Sequence, residues 1–161
     1  MKISKELNYA INQQIGEEFK ASHGYAQMAA YFNQNGLLRL SAMFFDQSEE
    51  EREHAMKFVH FLLDVEGDVA IPAIPALPYE FESVKAVFET ALNWEKEVTG
   101  NINHLMDLAI SEKDYASQDF LRWYVNEQIE EENTMSHLLD LAEALGDRPS
   151  LMLEAYLPKG E

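Results

Sequence analysis

The sequence predicts an all-α chain: an antiparallel four-helix bundle with one long crossover between its second and third helices and a short C-terminal fifth helix. Three observations predict it. Apolar residues recur at alternating steps of four and three through four long runs, the period of a helix that buries one face. The runs are separated by a short turn, a long gap and another short turn, which gives two antiparallel hairpins joined by a crossover. The gap, Asp68 to Glu82, carries Pro72, Pro75 and Pro78, and three prolines so close together forbid helix there. Composition agrees, since 47% hydrophobic and 25% charged residues describe a globular chain, and 161 residues suffice for one domain over 1–161 with a real core.

The first helix is expected over about 5–33, starting near Ser4 or Lys5 and stopped by Asn35-Gly36. Its buried stripe reads Ile11, Ile15, Glu18, Ser22, Tyr25, Ala29, Phe32. The second, over about 38–66 and closed by Gly67, has the stripe Phe44, Ser48, Glu51, Ala55, Phe58, Leu62. The crossover, 67–82, is expected to run extended along the bundle surface. At about 3.1 Å per residue, some 14 residues reach about 40 Å, the length of one of these helices. The third helix, about 83–111, begins with Ser83 as N-cap and reads Val84, Phe88, Ala91, Glu95, Val98, Ile102, Leu105, Ala109. After the turn Glu112-Lys113-Asp114 the fourth, about 115–145, reads Leu121, Tyr124, Gln128, Glu131, Met135, Leu138, Ala142, Leu145, with Gly146 as its stop. A fifth segment, about 150–157, follows Pro149 and is expected to form two helical turns.

The net charge of −17 argues against nucleic acid and anionic membranes as partners and favours attraction of cations. No apolar run approaches the roughly 20 residues that cross a bilayer, and the opening Met1-Lys2-Ile3-Ser4-Lys5-Glu6 has no signal-like apolar region, so the expected setting is the cytosol. With no cysteine there is no disulfide framework and no thiolate metal site. Any metal must be held by oxygen and nitrogen, which suit iron and manganese as well as zinc.

Each stripe is interrupted by a carboxylate, and the interruptions are level. Counted from a turn at Gly36, Glu18 lies 18 residues before it, while Glu51 and His54 lie 15 and 18 after it. Counted from Asp114, Glu95 lies 19 before, while Gln128 and Glu131 lie 14 and 17 after. At about 1.5 Å per residue the mismatch in each hairpin is a few ångströms. Glu51 and His54, three apart on one helix face, can also share an ion. Four carboxylates meeting inside an apolar bundle need counter-charge, and neither Arg nor Lys occupies these stripes. The simplest counter-charge is a pair of metal cations. An oxygen-rich set with one imidazole suits iron or manganese better than structural zinc.

Glu18 with Tyr25, Glu50-Glu51-x-x-His54-Ala55, Glu95, and the run Phe120-Leu121-Arg122-Trp123-Tyr124-Val125-Asn126-Glu127-Gln128-Ile129-Glu130-Glu131-Glu132 resemble the non-haem bacterial and archaeal ferritins over nearly the whole chain. The resemblance implies a ferroxidase that stores iron, with Fe²⁺ and O₂ or H₂O₂ as its partners, in a hollow cage of twenty-four copies. Matched by motif, one iron would be held by Glu18, Glu51 and His54, and the second by Glu51, Glu95 and Glu131, with Glu51 bridging. Gln128 would hydrogen-bond an oxygen species near the second iron, and Tyr25 would donate an electron or a hydrogen bond beside the centre. Glu50, Glu127 and Glu130 match the carboxylates of a third iron site, although taken alone they read as a solvated acidic face. Trp123 is expected in the core, and His23, His60, His104 and His137 have no matching role. Haem-binding relatives carry Met after the second-helix ligand Glu and a second Glu-x-x-His on the fourth helix. Here Arg52 and Gln128…Glu131 stand there, so no haem is implied. The short tail after Gly146 leaves the fifth helix as the open point in cage assembly. Two alternatives stay open: a di-iron or di-manganese peroxidase or catalase without storage, which would usually place a second His where Glu131 stands, and a purely structural bundle without metal.

Overall fold

The computed structural model describes residues 2–146 and 151–157. Its helices are α1 (Lys5–Gln34), α2 (Leu38–Asp64), α3 (Val84–Ser111), α4 (Tyr115–Leu145) and the single turn α5 (Leu151–Glu154). Pro149, Ser150 and Pro158 lie outside the described residues. Side-chain oxygens cap three helix starts, as the orphan N–H groups of a first turn require: Ser4 accepts from Leu7 N, Ser83 from Ala86 N and Asp114 from Ser117 N.

Three helices end in the same way, with a left-handed residue followed by an N–H that reaches back five residues. The left-handed residue is Gly36 after α1, but Glu66 after α2 and Lys113 after α3. The closing bonds are Leu37 N to Phe32 O, Gly67 N to Leu62 O and Asp114 N to Ala109 O. Gly67 therefore stands one place past the left-handed residue. It is small for another reason: a Cβ there would lie 2.6 Å from Asn8 Oδ1.

Contacts between elements fix an antiparallel arrangement. Ile3 N donates to Val65 O, joining the start of α1 to the end of α2. Gln118 Nε2 donates to Ala109 O, joining the start of α4 to the end of α3. Ser4 Oγ donates to Glu112 Oε1 and Tyr31 packs on Phe81, so α1 also runs antiparallel to α3. Phe58 stacks on Tyr124 across the α2–α4 seam.

The crossover lies along α1 as an extended strap. The Asn8 amide exchanges hydrogen bonds with the backbone of Asp68, and the Asn12 amide joins Asp68 O to Ala70 N, so two side chains satisfy backbone groups that have no ladder partner. Further on, Pro72 presses on Gly16, where a Cβ would meet its Cγ at 2.4 Å.

The apolar interior is split in two. One cluster holds Tyr25, Met28, Phe32, Leu40, Phe44, Phe88 and Met135, joined by Leu153 of α5 and by Leu157 beyond it. The other holds Leu7, Ile11, Ile15, Phe58, Leu62, Ile102, Leu105, Leu121 and Tyr124. Between them lies a polar layer at mid-height. α5 closes the first end: Glu154 Oε1 accepts from Arg39 N at 2.6 Å and Leu40 N at 3.0 Å, which caps α2, whose own N-cap residue Leu37 has no side-chain acceptor. No helix among the described residues is long and apolar enough to cross a membrane.

Candidate metal centre

The polar layer is made where each apolar stripe carries its carboxylate. On α1 and α2 the small Ser22 and Ser48 let the two backbones approach, each hydroxyl donating to the other's carbonyl at 2.7 Å. Ser22 stands one turn after Glu18 and Ser48 one turn before Glu51, so this reciprocal pair sets the two carboxylates level. Tyr124 Oη donates to His54 O at 2.7 Å and ties α4 to the same height of α2.

Glu18, Glu51, His54, Glu95, Gln128 and Glu131 are all buried, Glu18 to 1% exposure. Their ligand atoms form two buried groups, Glu18 with Glu51 and His54, and Glu51 with Glu95 and Glu131, each within 4.8 Å. Glu51 belongs to both. A third group within the same distance joins His54, Glu127 and Glu131.

The hydrogen-bond partners of these carboxylates are amides, a phenol and an imidazole. Gln14 Nε2 donates to Glu18 Oε1 at 2.9 Å, and Gln47 Nε2 donates to Glu51 Oε1 at 3.0 Å and Glu131 Oε2 at 2.7 Å. Tyr25 Oη donates to Glu95 Oε1, while Gln128 Nε2 lies 3.2 Å from Glu95 Oε2 and 3.1 Å from its carbonyl. His54 Nδ1 is 3.2 Å from Glu51 Oε2. Glu18 Oε2 is buried with no hydrogen-bond partner.

The electrostatics follow. Burial first, and the Glu51 charge second, hold the Glu18 carboxyl well above the ordinary carboxylate range. The same two causes push Glu95 up to about 7 and Glu131 up to about 9. Burial also raises the phenols of Tyr25 and Tyr124, which remain neutral donors. Without a cation the centre therefore keeps protons that carboxylates ordinarily lose. An unpartnered buried carboxylate oxygen beside three more carboxylates is a donor set short of positive charge, and its chemistry fits a hard first-row cation such as iron or manganese.

Tyr25 thus reaches the centre through Glu95. Of the three extra carboxylates, Glu127 comes to the centre, its Oε1 3.9 Å from His54 Nε2. Glu50 is exposed, and its carboxyl is raised by burial foremost and lowered by the neighbouring His54. Glu130 is exposed and lies outside all three groups found among the described residues. Trp123 corrects the expectation of a core residue: it is 37% exposed, with the Lys57 ammonium 3.5 Å over its ring and its plane edge-on to His54, so it shields the imidazole from the outside. His23, His60, His104 and His137 are exposed. Gln14 and Gln47 were missed in the sequence reading. Their signal is a repeat, a glutamine four residues before Glu18 and again four before Glu51.

An all-helical bundle that aims Glu-x-x-His from one helix and a carboxylate from each of three others at one mid-height point is a carboxylate bundle of the kind that ferritin-like proteins exemplify. Residues 8–145 match the family model of the ferritin-like domain. The chain belongs to that family. The bacterial non-heme ferritin of Staphylococcus saprophyticus is 37% identical over 145 residues, which cover 90% of this chain and 87% of that one. The bacterial non-heme ferritin of Staphylococcus aureus is 33% identical with the same coverage. Among solved structures, an open-pore ferritin from the hyperthermophilic archaeon Archaeoglobus fulgidus aligns with a TM-score of 0.92 at 35% identity, covering 95% of this chain and 94% of that one.

Proposed function

We propose that this protein is an iron-storage ferritin with ferroxidase activity: it takes up Fe²⁺ at the mid-bundle carboxylate centre, oxidises it to Fe³⁺ with O₂ or peroxide, and deposits ferric oxyhydroxide inside a cytosolic cage of twenty-four copies. The observation that carries the reading is that two buried ligand groups share Glu51 while Glu18 Oε2 has no partner. Glu18, Glu51 and His54 hold one iron, and Glu51, Glu95 and Glu131 the other, bridged by Glu51. Charged oxygen donors suit both oxidation states, so the protein holds the ions while the redox chemistry is theirs. Tyr25 and Gln128 orient Glu95, and Trp123 keeps solvent from His54. Glu50, Glu127 and Glu130 hold a third ion on the way from the centre to the cavity, with Glu127 beside His54. The net charge of −17 draws Fe²⁺ toward the protein.

The test is aerobic addition of Fe²⁺ to metal-free protein, with ferric absorbance followed while light scattering sizes the particle. A fast phase saturating near two irons per subunit, then slow uptake of many more into a large particle, is the expected result. A fast phase in a small oligomer without storage would instead indicate a di-iron oxidoreductase, and no phase above the protein-free control would overturn both.

A further inference from the structure

Among the described residues, three surface grooves are each lined by a glutamine that is bonded to a ligand carboxylate. A groove of about 370 Å³ between α1 and α3 reaches Gln14, the donor to Glu18. One of about 330 Å³ between α3 and α4 reaches Gln128, the donor to Glu95. The third, about 520 Å³ along α2, is lined by Arg39, Ala42, Met43, Asp46, Glu50 and Leu157 and reaches Gln47.

Gln47 differs from the other two. Its one amide nitrogen donates to carboxylates on two helices, Glu51 of α2 and Glu131 of α4, and one of these is shared by both buried ligand groups. The residue is 7% exposed, so it is a wall one side chain thick, with the groove on its outer side and the carboxylate pair on its inner side. While the pair carries no cation, the two N–H bonds satisfy oxygens that would otherwise be stranded. A cation does not need those donors, and one arriving along this groove has to displace the amide. Glutamine has the flexible stem to swing it outward. Beside Gln47 the groove suits the passage of a cation, because the carboxylates of Asp46 and Glu50 lie there, one next to Gln47 and one a helical turn further, while the Arg39 guanidinium stands two turns earlier on α2 and donates to the carbonyls of Glu154 and Leu157. The walls of the α3–α4 groove include Ile102, Val125 and Ile129 and, of carboxylates, only Glu132, which accepts from Thr99 at 2.6 Å, while the α1–α3 groove carries Glu6 and Glu17 but reaches Gln14, which donates to Glu18 and bridges no pair.

We propose that Gln47 is the gate on a path for divalent and trivalent first-row cations between the Asp46/Glu50 groove and the Glu51–Glu131 pair. The proposal rests on the two-ion reading above. Closed, the amide clamps the pair and excludes water. Open, it lets a cation pass between the second ligand group and the groove.

The test uses the assembled protein, anaerobic, with Co²⁺ as a redox-inert probe whose ligand-field absorption reports binding. Equilibrium titration gives the affinity of each ion, and stopped-flow mixing and chelator chase give the rates. Gln47→Ala removes the gate: association and dissociation of the second ion should both rise about tenfold while its Kd stays within threefold. Ala42→Phe, at an exposed position on the groove, narrows the path without touching the centre: both rates should fall about tenfold at unchanged Kd. A Gln47→Ala protein whose second Kd weakens tenfold at unchanged association rate would overturn the gate and leave Gln47 as a clamp only. Unchanged rates in both variants would place the path elsewhere and overturn the proposal. If the unaltered protein fails to bind two Co²⁺ per subunit, the two-ion reading itself has failed, and that outcome is separate from any effect of Gln47.

Discussion

Loading the centre with two divalent cations should expel protons, and their number should depend on pH in a way the site geometry sets. With Glu95 near 7 and Glu131 near 9, the pair holds about two protons at pH 6 and about one at pH 8, counted as a property of the coupled pair. Glu18, raised well above the carboxylate range, adds to that store. Cations bind the ionised carboxylates, so each retained proton must leave. Anaerobic titration with Co²⁺ in weak buffer, followed with a pH indicator, should therefore release two to three protons per subunit at pH 6, falling by about one by pH 8. Affinity should weaken on acidification for the same reason. Release near zero at both pH values would mean that the carboxylates are already ionised in the metal-free state, and would refute the claim that the centre lacks counter-charge. The same shifts fix the sign for stability. A carboxyl whose folded pKa lies above its unfolded value binds more protons folded, so the metal-free protein loses stability as pH rises from about 4.5 through about 7, by roughly 3 kcal/mol for Glu95 alone. Bound cation should remove that loss.

Substitutions at three positions test other parts of the account. Glu51→Gln removes the charge that raises Glu18, Glu95 and Glu131, so calorimetry should show the metal-free protein stabilised by roughly 1–2 kcal/mol while rapid iron oxidation falls at least tenfold; loss of both would contradict the reading. Gly16→Ala puts a Cβ 2.4 Å from Pro72 Cγ, which should lift the strap and cost about 1–3 kcal/mol in urea unfolding. Glu154→Ala strips the cap from α2 and should cost about 0.5–2 kcal/mol, with Glu154→Gln, which keeps an acceptor oxygen, costing less.

The helical stripes and the level of their carboxylates are legible in the sequence because both follow from fixed helix geometry: a 3.6-residue period chooses the face, and a constant rise carries heights across a hairpin. Glu18, Glu51, His54, Glu95 and Glu131 are brought together for that reason. Ser4 and Ser83 are readable as caps because capping is local. What escapes the sequence depends on distant partners. Glu154 caps α2 from the far end of the chain. Trp123 has the composition of a core residue, yet rotation of α4 turns it outward under Lys57. The same rotation brings Glu127 to His54 and leaves Glu130 in solvent. Glu66 and Lys113 take left-handed conformations that composition assigns to glycine, because the closing bonds of the helix ends outweigh the strain. Gln14 and Gln47 look like ordinary polar residues until their amides are seen facing the carboxylates.

The most direct test of the central claim is anomalous diffraction at the iron edge from crystals loaded anaerobically with Fe²⁺. The account predicts two peaks per subunit, one among Glu18, Glu51 and His54 and one among Glu51, Glu95 and Glu131, with the Glu51 carboxylate touching both. Peaks confined to the exposed acidic surface, or a single peak that does not involve Glu51, would contradict it.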